Sequence, residues 1–208
     1  MHPIYFLHGL GQTPDSWDKV LSQLELENSV CPDLAALCRG KQATYPGLYE
    51  GFSKLCSRAD GPIHLCGLSL GGVLALNYAI EHPERVGSLV LIAPQYKMPK
   101  GLLRLQNFLF HFMPKSMFQQ MGFGKQEFIQ LCRSMMELDF SGAVQKIACP
   151  TLILCGERDT ANKKACRTLA GLLKDAEFQV VGGSGHEVNV EAPEALAESL
   201  RAFYRRVR

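Results

Sequence analysis

The stretch at 61–94, "GPIHLCGLSLGGVLALNYAIEHPERVGSLVLIAP", constrains the fold of this chain more than any other. An apolar run at 62–68 stops in a cluster of glycines. Small and apolar residues then fill 71–82, long enough for a helix, and Pro83 lies just beyond as a stop signal. The run at 87–93, "GSLVLIA", is almost wholly apolar, as a parallel strand covered on both faces should be. Strand, tight turn, helix and strand together make one crossover unit, and such units join parallel neighbours. A chain built around this unit is expected to form a sheet with helices packed on it.

The same rhythm recurs on either side. Strand-like runs stand at 3–7, 29–31, 151–155 and 177–181. Helical patterns stand at 15–26, with Trp17, Val20, Leu21 and Leu24 in register, and at 48–59, with Leu48, Phe52, Leu55 and Cys56 on one face. Two more follow at 162–173 and 192–204. The rhythm breaks only after Pro94, where 95–142 carries helical patterns and no clear strand. The expectation is an α/β fold: a mostly parallel sheet of about six strands flanked by helices. Residues 1–94 and 143–208 form the core, and 95–142 is a short helical lid inserted between two strands.

With 208 residues, 47% of them hydrophobic, the chain is long enough for one domain with a sizeable core. Its 22 basic and 20 acidic residues leave a net charge of +2. The short basic tail at 201–208 reads as a solvated helix end, so nucleic acid is not an expected partner. The first residues, "MHPIYFLHGLG", lack the basic start and cleavage site of a signal peptide and read as a strand. No run reaches the ~18 apolar residues of a membrane span. The 8 cysteines show no C-x-x-C pair and no zinc spacing. Free thiols in a cytoplasmic protein are expected, with no metal and no cofactor.

In a parallel sheet, ligands sit beyond the C-terminal strand ends. His8, Ser69, Asp159 and His186 each fall just after an expected strand. The pattern Gly67-x-Ser69-x-Gly71 lies on the turn from strand to helix, the setting of a nucleophile elbow. A serine hydroxyl is a poor nucleophile until a base takes its proton. Of the 6 histidines, His186 in "GGSGHEVNVEAP" is the best placed, on a late Gly-rich loop. His64 lies within a strand, His82 at a helix end and His111 in the lid. A carboxylate should orient the imidazole. Asp159 ends the strand "TLILCGERD", though alone it also suits a helix N-cap, and Glu157 is a rival. An oxyanion hole needs two donors. The amide of Leu70 can supply one. The loop "HGLG" supplies the other through Leu10 or Gly11, with Leu10 preferred. Gly9 and Gly11 would let backbone approach a substrate closely. His8 is expected to hold that loop.

The segments "HGLGQTPDSW", "GLSLGGVLALNYAIEHPERVGSLVLIAP", "IACPTLILCGERD" and "GSGHEVNVEAPEALAESLRAF" together resemble the α/β-hydrolase superfamily. The resemblance is to its small single-domain branch of esterases, haloperoxidase-like and MenH-like proteins, and covers nearly the whole chain. It implies that Ser69, Asp159 and His186 form a catalytic triad, with Asp159 rather than Glu157 as the acid. It implies that the substrate is a small-molecule ester or thioester. The loop "HG…W" brings Trp17 into the expected substrate-binding set with Gly9 and Gly11. The chain starts directly on the "HG" strand, so the family's first two strands are expected to be missing.

The lid is rich in Phe and Met, and Phe108, Phe112 and Met117 are expected to line an adaptable apolar pocket for an acyl chain. Two other readings remain. One keeps the triad for MenH-like elimination or carbon–carbon hydrolysis. An acidic substrate would then call on Lys97, Lys100 and Arg104 near the lid hinge. The other is a non-catalytic relative that serves as a binding module.

Overall fold

The computed structural model describes residues 2–40, 42–115, 118 and 123–207, and not the side chains at 102, 105, 106 and 109. Its strands are β1 (Ile4–Leu7), β2 (Ser29–Val30), β3 (Ile63–Leu68), β4 (Val86–Ile92), β5 (Thr151–Gly156) and β6 (Ala176–Val181). All pairings are parallel, in the order β2-β1-β3-β4-β5-β6. The helices are α1 (Asp18–Leu21), α2 (Leu34–Leu37), α3 (Tyr45–Cys56), α4 (Leu70–Glu81), α5 (Lys100–Phe112), α6 (Lys125–Met135), α7 (Thr160–Leu172), α8 (Val188–Glu191) and α9 (Pro193–Val207).

The alternating apolar pattern builds two layers. On one face Tyr5, Leu7, Leu65, Leu89, Leu91 and Ile153 meet α3, α4 and α7. On the other, Ile4, Phe6, Cys66, Val90, Ile92, Leu152 and Leu154 meet α1 and α9. Every residue of α4 from Leu70 to Ile80 is buried, which accounts for the small and apolar residues on all its sides. Among the described residues, no helix is long and apolar enough to cross a membrane.

Two expected elements differ in form. The helix expected over 15–26 is a 3-10 turn at Pro14–Trp17 followed by the single turn of α1. The stretch between β4 and β5 is helical, as α5 and α6, but its two ends pair as well. Lys97 and Asp139 form an antiparallel bridge, Met98 N donates to Leu138 O, and Phe140 N donates to Tyr96 O. The outgoing and returning strands of chain are thereby stitched into a narrow neck.

The strand order has one consequence for function. From β1 the chain winds outward to β2, and from β3 it winds the opposite way to β4. The loops leaving the adjacent strands β1 and β3 therefore part company and open a crevice at their C-terminal ends. Those loops are "HGLG" and the turn at Ser69.

Candidate active site

Ser69 sits between β3 and α4 with φ 51° and ψ −112°. This left-handed conformation is unusual for a residue with a side chain and marks local strain. It stands at the N-cap position of α4, yet its hydroxyl makes no capping bond. The turn is tight enough to require its glycines. A Cβ on Gly67 would lie 2.3 Å from Gly71 O, and one on Gly71 would lie 2.2 Å from Leu7 O. Ser69 N donates to Ile92 O at 2.9 Å, which fixes the turn against β4. The hydroxyl is thus held beside the N-terminus of a 12-residue helix, where developing negative charge is favoured.

Asp159 and His186 come together on the same rim. His186 Nδ1 lies 2.8 Å from Asp159 Oδ2. The carboxylate is buried, with a side chain 3% exposed, while the imidazole is 43% exposed. Burial would raise the Asp159 carboxyl, but hydrogen bonds from His186 and Asn162 outweigh it and hold the group below its ordinary value. Asp159 is also the N-cap of α7, accepting from Asn162 N. The two readings of this residue are compatible, because one oxygen caps and the other faces the imidazole. Glu157 points elsewhere and accepts from Gly183 N at 3.0 Å.

The two loops meet through glycine. A Cβ on Gly156 would fall 1.9 Å from Gly185 O, so the acid loop and the histidine loop touch backbone to backbone. Glu191 then clamps the histidine from both sides, accepting from Gly185 N and Glu187 N, and pairs with Arg158 of the acid loop.

The "HGLG" loop is stitched from within. His8 is buried, its Nδ1 2.9 Å from Gly9 O and its Nε2 accepting from Leu34 N. Burial lowers its pKa. Gly11 has φ 90°. Gln12 accepts from Gly9 N and forms a reciprocal amide pair with Asn189, at 3.1 and 3.2 Å. Both amides are buried, and together they tie this loop to the one that carries His186. Among the described residues the amides of Leu10 and Leu70 make no hydrogen bond to protein.

Several expected substrate contacts fall elsewhere. Trp17 is fully buried against Phe6, ring centroids 5.3 Å apart, and belongs to the core layer beneath the sheet. The amide and carbonyl of Gly9 are engaged by Gln12 and His8, so this glycine forms the turn rather than a binding surface. Phe108 and Phe112 are 60% and 73% exposed and pack edge to face on each other. Helical phase explains this. Leu103, Asn107 and Phe110 share the inward stripe of α5, where Phe110 meets Phe118 and Phe128, and Phe108 and Phe112 fall on the opposite one. They line a cleft of about 780 Å³ with Arg104, His111 and Arg133 that does not include Ser69 or His186. Met117 lies outside the described residues. Lys97 and Lys100 are tied to Asp139 and Glu137 at the neck.

Three residues went unnoticed in the sequence: Gln12, Asn162 and Asn189. Each is an amide with at least one partner on a distant loop or strand end, Gln12 with Asn189 and Asn162 with Gln95, and no local pattern marks such a bond.

Comparison with known proteins agrees with this architecture. Residues 4–199 match the model of the Alpha/beta hydrolase family. A monoacylglycerol lipase of Xenopus laevis is 24% identical over 96% of this chain and 74% of its own length. Among solved structures, a thermophilic esterase from Thermogutta terrifontis superposes with a TM-score of 0.81 at 21% identity, covering 100% of this chain and 90% of that one. MenH from S. aureus superposes with a TM-score of 0.83 at 16% identity, covering 99% of this chain and 94% of its own. At these identities the two structural likenesses speak to the fold.

Proposed function

Because the chain belongs to the alpha/beta hydrolase family, we propose that it is a serine hydrolase acting on a small or acyl ester or thioester through Ser69, His186 and Asp159. The observation that carries this reading is the 2.8 Å contact between His186 Nδ1 and Asp159 Oδ2 on the rim that bears the strained Ser69 turn. With Nδ1–H donated to Asp159, Nε2 is the lone-pair nitrogen and serves as the base.

The reaction follows from these positions. His186 Nε2 takes the proton of Ser69 Oγ as the oxygen attacks the substrate carbonyl carbon. The C=O bond opens to an oxyanion, which accepts from the amides of Leu70 and Leu10. Collapse of the tetrahedral intermediate breaks the bond to the alcohol or thiol, which leaves with the proton from His186. Water, deprotonated by the same nitrogen, then releases the acid and restores Ser69. Asp159 stays ionised and stabilises the transient imidazolium. The helical segment at 95–142 serves as the lid of this site. The lipase names of relatives support an ester substrate.

The engagement of Lys97 and Lys100 by neighbouring acids favours the esterase over a lyase for acidic substrates. A fluorophosphonate probe is expected to label wild type and not Ser69→Ala. A panel of esters and thioesters of graded acyl length is expected to be turned over by wild type alone. Equal labelling of both proteins, or turnover that survives in Ser69→Ala, overturns the reading.

A further inference from the structure

Asn162 lies at the centre of a short hydrogen-bonded chain. Its Nδ2 is 2.9 Å from Asp159 Oδ1 and 2.8 Å from Oδ2, and its backbone N donates to Oδ1 at 3.1 Å. The same Nδ2 stands 3.2 Å from His186 Nδ1, so both nitrogens converge on one carboxylate. On the other side, Asn162 Oδ1 accepts from Gln95 Nε2 at 2.6 Å. Gln95 is the residue after Pro94, where the chain leaves β4 and enters the neck of the helical segment.

The polarity of this chain admits one arrangement. An ionised carboxylate only accepts, so the amide of Asn162 must turn its NH2 toward Asp159. Its carbonyl then faces outward and needs a donor, which Gln95 supplies. If Gln95 moved away, the amide would lose the contact that fixes its orientation. We propose that Gln95 and Asn162 form a relay through which the base of the helical segment positions the Asp159–His186 pair, coupling that segment to the proton-transfer machinery. Gln95 and Asn162 are positioning residues, since they act through Asp159. The proposal rests on the reading of Ser69, Asp159 and His186 as a triad and adds the means by which that site is regulated.

The decisive variant is Gln95→Glu. A carboxylate at 95 cannot donate to Asn162 Oδ1, and it favours the flipped amide, which sets the Asn162 carbonyl against Asp159. Gln95→Glu is expected to lower kcat about tenfold with little change in KM, and Gln95→Ala to lower it only about two- to threefold. In an Asn162→Ala background, Gln95→Glu should cause no further loss, because the relay is already cut. Asn162→Ala itself is expected to lower kcat with little change in KM. Lys97→Ala, which opens the ion pair at the neck, should leave kcat unchanged. A readout independent of turnover is the low-field proton resonance of His186 Nδ1–H, expected to shift in Gln95→Glu. The relay is overturned if Gln95→Glu matches Gln95→Ala in kcat and in that resonance, if its loss persists in Asn162→Ala, or if Lys97→Ala loses as much. A wild type that escapes fluorophosphonate labelling overturns the hydrolase reading instead, and the resonance still decides the relay.

Discussion

His186 Nδ1 and Asp159 Oδ2 stand 2.8 Å apart although 27 residues separate them in the chain. The carboxylate is buried and the imidazole is partly open to solvent, so the acid is shielded while the opposite face of the ring remains available. In Asp159→Asn the side chain keeps its shape but offers an amide. The imidazole then settles in the wrong tautomer, and kcat should fall on the order of 10³- to 10⁴-fold. Steady-state kinetics on a chromogenic ester, with circular dichroism to confirm folding, checks this.

The backbone at Ser69 carries strain that glycine would relieve. Ser69→Gly is expected to be more stable than Ser69→Ala by about 1 kcal/mol. That is what remains of about 1–3 kcal/mol of strain after the greater flexibility of glycine in the unfolded chain is counted. Urea unfolding of the two inactive variants compares them directly. Equal midpoints and slopes would mean that the strain at this turn is no larger than the flexibility cost of glycine.

Gly156→Ala forces a methyl group onto Gly185 O, which lies 1.9 Å from the position it would take. The acid and histidine loops must separate. Stability should drop by about 1–3 kcal/mol, and turnover should fall with it because His186 rides on the displaced loop. Thermal unfolding alongside kcat tests both parts.

The Gln12–Asn189 pair is reciprocal and buried. Gln12→Leu leaves Asn189 Oδ1 and Gly9 N without their partners, at a cost of about 1–3 kcal/mol, while Asn189 Nδ2 keeps its bonds to Ser16. The effects of Gln12→Leu and Asn189→Leu should fall short of additive, since both break the two bonds between the amides, although each also loses contacts of its own to Gly9 or Ser16. A double-mutant cycle in denaturant measures the coupling, and simple additivity would show that the two amides act independently.

His8 links stability to pH. Burial lowers its pKa in the folded protein, whereas the unfolded chain titrates near 6.5. Below about pH 6.5 the unfolded state therefore takes up the proton first, and stability falls with pH until the folded-state value is passed. Above that window His8 is neutral in both states and contributes no slope. His8→Gln should flatten this part of the stability–pH curve, as read from urea midpoints between about pH 7.5 and 5.5 (one unit either side of the ordinary histidine value).

The backbone plan was legible in the sequence because its determinants are local. Six apolar runs, their spacing and Pro83 mark the strands and the end of α4. The glycines around Ser69 mark a turn that tolerates no Cβ beside it. The expected site residues Ser69, Asp159 and His186 follow strands, and strand ends share a rim in any parallel sheet. Helical phase was harder to use. Phe108 and Phe112 have the composition of a pocket wall, but they lie on the stripe of α5 that Leu103, Asn107 and Phe110 turn away from the core.

By itself, the sequence determined the strands, the tight turn at Ser69 and which residues follow the strand ends, since each depends on neighbours a few positions away. Tertiary structure alone decided which loops touch. The strand order opens the crevice between β1 and β3, backbone contact at Gly156 brings Asp159 to His186, and Gln12, Asn162 and Asn189 bond across the loops. Hydrogen bonds between segments far apart in the chain leave no periodic trace, because each side chain answers to a partner whose position the fold supplies.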